Sequence, residues 1–230
     1  MKGLTEYEKF LLLRPLPSDW PKDEKGIPFL KKNNFEDVNW DGIKFTSLSN
    51  IGSTKDKGKK IVLNYQFDKS LLKLWNNPIK YLIKLVPFFA VASPDFSAYS
   101  NMDLCQIEEN VRHSLWLAAW YQYYGINVIP TITWADEKSY HICFDYVAYG
   151  SVVTISTVGI NNIDLFIKGF AEMIKRINPP LIIVRGKPIV GMVGNFIFID
   201  FDETFEKEEK YEQIKLLTIS KIQTLRKAEK

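Results

Sequence analysis

The 230-residue chain is 46% hydrophobic and 14% aromatic, with 30 basic against 27 acidic residues. A globular chain of that length buries roughly 70% of its unfolded surface and needs no disulfide or metal staple, and the composition excludes a disordered chain. The net charge of +3 gives no warrant for a strong nucleic-acid binder, which carries a large basic excess, but leaves room for a local basic patch.

Residues 1–60 are expected to form an irregular extension packed on the domain, because prolines at 15, 17, 21 and 28 interrupt regular elements. The run Leu11-Leu12-Leu13 is much shorter than a signal-peptide core of about 7–15 residues. No apolar run approaches the roughly 18 residues of a membrane span. The expected location is therefore cytoplasmic, with no membrane partner. The loop from Gly52 to Lys60 superficially resembles a phosphate-binding loop. However, five residues separate its glycines where four are needed, and Lys60 stands where Ser or Thr should hold magnesium. Cys105 and Cys143 both sit among apolar neighbours and are expected to be reduced, unpaired and buried.

From residue 61 the chain becomes periodic, and an α/β core domain is expected over residues 61–204. Residues 61–67 (IVLNYQF) read as a strand, followed by short helices over 70–76 and 79–85. The continuous apolar run 88–93 (FFAVAS) fits a strand covered on both faces. Asp103 with Gln106 forms a capping box for a helix whose core stripe is Leu104, Ile107, Val111, Leu115, Ala118 and Ala119. Gly125 closes it. A second stripe, Trp116, Trp120 and Tyr123, requires a cover besides the sheet. The next strand, 126–134 (INVIPTITW), contains Pro130, which implies a bulge or an edge. A short helix around 139–147, a strand over 151–157 (SVVTIST) and a helix from its cap Asn162 through Ile177 follow. Residues 181–184 (LIIV) and 195–201 (NFIFIDF) complete the strands. Residues 205–230 read as an amphipathic C-terminal helix. Sequential strand–helix units imply mostly parallel strands, arranged as an incomplete or distorted (β/α) TIM-like barrel. The alternative is an open doubly wound sheet.

Several stretches between about residues 60 and 203 have a recognisable order and spacing. They are Leu74-Trp75-Asn76-Asn77-Pro78, Ser93-Pro94-Asp95-Phe96-Ser97-Ala98-Tyr99, Asn110-Val111-Arg112 and Gly125-Ile126-Asn127-Val128-Ile129-Pro130. Trp134-Ala135-Asp136-Glu137, Cys143-Phe144-Asp145 and Ser156-Thr157-Val158-Gly159 continue the series. In these the chain resembles the family catalogued as domain of unknown function 4417, found in phages, plasmids and mobile elements. The family tends to carry Gly where Ala135 and Tyr146 stand here, and often an aromatic residue at the position of Arg185. The resemblance implies a mobile-element context and no particular chemistry.

Ligands of barrels and open α/β sheets bind at the C-terminal ends of strands, which is where the candidate residues fall. Asp95 is the candidate catalytic group, as acid, base or metal ligand, with turn capping as its structural alternative. Arg112 and Arg185 could hold phosphate or carboxylate through their forked guanidinium groups. For Arg112, an ion pair with Glu108 or Glu109 would account for it equally. Trp134 could stack on a base or sugar, or pack in the core. Ser156, Thr157 and Gly159 suit a phosphate near a helix start, or a tight turn. Asp200 and Asp202 face one way along a strand and could join Asp95 around Mg²⁺ or Mn²⁺. His113 and His141 have no companions at ligand spacing. Two readings stay open. One is a site, with hydrolysis within its reach, for a phosphate-bearing ligand such as a nucleotide or nucleic-acid end. The other is a non-catalytic phage or mobile-element protein that engages a protein partner through helix 104–124 or 205–230.

Overall fold

The computed structural model describes residues 3–199 and the strand at 213–217. Among the described residues eight strands follow one another: β1 (Lys44–Ser47), β2 (Lys60–Leu63), β3 (Ala90–Ala92), β4 (Val128–Ile129), β5 (Val153–Ser156), β6 (Ile182–Arg185), β7 (Phe196–Ile199) and β8 (Gln213–Leu217). Six α-helices accompany them: α1 (Glu6–Leu13), α2 (Asp68–Asn76), α3 (Pro78–Leu85), α4 (Leu104–Tyr123), α5 (Tyr140–Phe144) and α6 (Ile163–Ile177). The strands form two four-stranded sheets, ordered β1-β2-β3-β4 and β5-β6-β7-β8. All pairings are parallel except β7 with β8. A doubly wound sheet reverses its strand order at a switch point; neither sheet does.

Pro130 determines how the two sheets meet. It has no N–H to donate, and the backbone ladder between β3 and β4 stops there. Side chains replace it: the Thr131 N–H donates to Ser93 Oγ at 2.8 Å, and Thr131 Oγ1 donates to the Ser93 carbonyl at 2.5 Å. The chain then leans on β5, with Thr154 N–H on the Pro130 carbonyl (2.9 Å) and Ile132 N–H on the Thr154 carbonyl (2.8 Å). At the opposite end of the same seam the buried Asn33 amide acts as a splint. Its Nδ2 donates to the carbonyls of Val128 (3.0 Å) and Val152 (2.8 Å), and its Oδ1 accepts from Val152 N–H (2.9 Å). A single side chain thus satisfies backbone groups of both sheets.

Alternation along the strands separates two apolar faces. Val62, Val91, Val128, Val153, Ile155, Ile182, Val184, Phe196 and Phe198 meet the helices in one cluster. Phe45, Ile61, Leu63, Ala90, Ala92 and Ile129 of the first sheet join Ile183, Ile197 and Ile199 of the second in the other. β1 and β8 each pair on one side only among the described residues.

The N-terminal segment is more regular than expected. Thr5 and Glu8 close a capping box on α1, and β1 extends the first sheet. α1 supplies the cover that α4 lacks: Phe10 packs on Trp116 and Trp120, with ring centroids 6.1 and 5.0 Å apart. Arg14 stacks on Trp75 at 4.0 Å, and its carbonyl accepts the Trp116 indole N–H at 2.7 Å. Cys143 is buried and unpaired, its thiol pushed up to about 12 by burial. Cys105 is unpaired but exposed, against expectation: it stands in the first turn of α4, where Leu104 and Gln106 are exposed as well. In the segment expected as a C-terminal helix, residues 213–217 pair with β7 as a strand; Asp200, Asp202 and the rest of 205–230 lie outside the described residues. No described helix is long and apolar enough to cross a membrane.

Candidate functional site

Tyr65, Asp95 and Arg185 come from three different strand ends and meet at one C-terminal edge. Tyr65 continues the inward alternation of Ile61 and Leu63 just past β2. It is buried, and its hydroxyl pairs with Thr154 Oγ1 at 2.5 Å. Burial raises its pKa well above the ordinary tyrosine value, and the nearby Asp95 carboxyl adds to the rise. Arg185, the last residue of β6, places its guanidinium carbon 5.5 Å from the centre of the Tyr65 ring, within cation–π range. Burial lowers its affinity for its proton, opposed by Tyr65 and Asp95.

Asp95 follows β3 and is tied to the end of β2 by its N–H on the Asn64 carbonyl (3.3 Å). Its side chain keeps slight solvent contact while lying deep among protein atoms. Burial pushes its carboxyl from 3.8 up to about 7; Arg185 pulls it down and Asp68 pushes it further up. Asp68, at the first turn of α2, accepts from both the N–H and the hydroxyl of Ser97 at 3.1 Å. Asn64 is fully buried, with Nδ2 on the Ala92 carbonyl (2.6 Å) and no partner for Oδ1 among the described residues. A carboxyl that is part protonated near neutrality can exchange a proton with a bound hydroxyl or water. A guanidinium beside it can hold an anion.

The other candidates fall in several places. Thr157 lies at the same edge, but its hydroxyl donates to the carbonyls of Lys187 (2.8 Å) and Arg185 (3.3 Å) and so fixes the turn that carries Arg185. Gly186 completes that turn at φ +109, and a Cβ there would lie 2.5 Å from Thr157 Oγ1. Ser156 Oγ accepts from the Val158 N–H at 3.2 Å, and Gly159 is exposed at φ +79. The Trp134 indole sits in the helix layer, stacked on Phe166 at 5.1 Å and edge-on to Phe144 at 5.8 Å. Arg112 lies on α4, forked onto Glu109 at 2.8 and 2.9 Å and 5.4 Å from the Trp75 ring. His113 bonds the same Glu109 at 2.9 Å, and burial lowers it to about 4. Among the described residues no three His, Cys, Asp or Glu side chains are grouped to hold a metal. Tyr65, Asn64 and Asp68 were not singled out in the sequence. Alternation from Ile61 and Leu63 was the signal for Tyr65.

With this geometry in view, the family decides the context. Residues 22–202 match the domain of unknown function DUF4417. The chain belongs to this family. It is also similar to the Gene 1 protein of Mycobacterium phage L5, 35% identical over 128 residues that cover 54% of each chain. The Gene 1 protein of Mycobacterium phage D29 is 33% identical over 128 residues, 54% of this chain and 46% of that one. The match thus spans about half the length of each relative. No solved structure matches the chain.

Proposed function

We propose that this phage-type domain binds a phosphate-bearing ligand, a nucleotide or a nucleic-acid end, at the C-terminal edge of its strands. Arg185 holds the charge and Asp95 exchanges a proton with the ligand or an attacking water. The two sheets act as arcs of one incomplete (β/α) barrel, joined by Asn33 and the Thr131 seam, with the site at its C-terminal rim. What carries the reading is the convergence of Tyr65, Asp95 and Arg185 from two sheets. A fold gains nothing in stability from gathering a carboxyl that burial holds near neutrality, so function is the better account of it.

In this reading Tyr65 and Thr157 are positioning residues. The first presents a ring face to the guanidinium, and the second fixes the backbone that carries it. Asp95 then acts as general base when ionised, and hydrolysis is the reaction class it suits. The test is calorimetric titration with inorganic phosphate and a panel of nucleoside phosphates. Wild type binds, Arg185→Gln loses at least about tenfold in affinity, and Asp95→Asn folds and shifts the pH dependence of binding. If no phosphate compound binds, or if Arg185→Gln binds as well as wild type, the site reading fails. The non-catalytic interaction protein then stands in its place.

A further inference from the structure

The 26 residues from Lys69 to Pro94 contain four lysines and no acidic residue. Their charge alone exceeds the net charge of the whole chain. α2 and α3 occupy most of this stretch. They bury Leu71, Leu74, Leu82 and Leu85 inward, and turn Lys69, Lys73, Lys80 and Lys84 to solvent. Large aliphatic side chains stand among those lysines instead of polar ones: Ile83 is 69% exposed, Val86 55%, Ile79 41% and Leu72 38%. Ile79, Ile83 and Val86 follow one another at helical spacing along α3 and its C-cap. Lys9, Lys25, Lys32, Lys168 and Lys175 each lie against an acid; among the described residues these four lysines do not. Lys84 reaches 5.8 Å from the ring of Tyr81, an aromatic group at the edge of the patch.

We propose that the outer face of α2 and α3 docks on the surface of a bilayer rich in anionic phospholipid. The residue types select this partner over two others. Protein interfaces favour Arg and aromatic groups and are depleted in Lys. Nucleic-acid sites read bases with Arg forks and aromatic stacking, and a contact to phosphates alone would leave the exposed Ile79, Ile83 and Val86 without a role. Lysines beside exposed apolar side chains are instead what a helix lying in a lipid interface carries. There the aliphatic groups enter the headgroup boundary and the lysine stems extend toward phosphate. The docking is peripheral, since no described helix can span a bilayer.

Flotation of the full chain with vesicles of mixed phosphatidylglycerol and phosphatidylcholine tests this. The chain floats with the mixed vesicles at low salt, does not float with pure phosphatidylcholine, and is released at high salt as screening shortens the reach of the charges. Lys80→Gln with Lys84→Gln lowers partitioning roughly 25-fold, at about fivefold per lysine. Ile83→Ser lowers it too, whereas Lys44→Gln with Lys55→Gln, exposed elsewhere on the chain, does not. All these changes are at exposed positions, and thermal melts verify that each variant is folded. Absence of binding to the mixed vesicles overturns the proposal, as does binding that the Lys80/Lys84 pair leaves unchanged. Retention of a short DNA duplex in place of vesicles overturns it as well and assigns the face to nucleic acid.

Discussion

At the scale of single residues, the proposed chemistry turns on Asp95. Its carboxyl titrates near 3.8 when unfolded and near 7 in the fold, raised mainly by burial. The folded state therefore binds a proton more tightly than the unfolded chain across that window. Stability from this group is intact below pH 4 and is lost as pH rises toward 7. The full difference is roughly 3 kcal/mol after allowance for its slight solvent contact. Asp95→Asn removes this pH dependence, so melts across the window place the variant progressively above wild type, by at most that amount, and level with it in acid. Glu109 and Glu172, lowered by arginine partners, act in the opposite direction in both proteins and cancel in the comparison. The placement of Asp95 and Arg185 at strand ends was legible because a charged residue ending an apolar strand is a plain signal. Tyr65 could have been read from the period-2 pattern. Trp134 was ambiguous, since an aromatic residue after a strand can stack on a ligand or on Phe166.

At the scale of elements, the seam at Pro130 holds the two sheets together. Asn33→Ala would leave the Val128 and Val152 carbonyls and the Val152 N–H without their buried partner. The expected loss is roughly 3 kcal/mol or more by chemical denaturation. Asn33→Asp fares no better, because a carboxylate cannot donate to two carbonyls. A second close fit joins α6 to the strand edge: a Cβ on Gly169 would collide with the Trp134 indole. Gly169→Ala should therefore cost about 1–3 kcal/mol, with much of the loss recovered when Trp134→Leu is added; equal melting of Gly169→Ala and wild type would contradict this fit. Helices α4 and α6 were readable from their caps and stripes, and β7 from its unbroken apolar run. β1 was not, since four residues without clear alternation carry little signal. The Thr5–Glu8 capping box was present in the sequence, but the prolines that follow it drew the reading toward irregular chain. At 213–217 an apolar stripe that suits a helix was overridden by pairing with β7.

For the molecule as a whole, the family match begins at residue 22, so α1 lies outside it. Yet α1 covers the aromatic face of α4 through Phe10 and Arg14, with no residue of its own fully buried. Deleting residues 1–14 should preserve the far-ultraviolet circular dichroism and cost roughly 2 kcal/mol, about the burial of one aromatic side chain. The deletion should also red-shift tryptophan emission as Trp116 and Trp120 meet water. Loss of the fold would instead make α1 part of the core. The proposed site lies elsewhere, at the strand edge, and it is most directly tested by titrating the Asp95 carboxyl by carbon-detected NMR, with and without inorganic phosphate. The account predicts a midpoint near 7 that moves higher when phosphate sits on Arg185, because the anion occupies the neighbouring cation and adds negative charge. A midpoint near 4, or one that phosphate leaves unmoved, would contradict it.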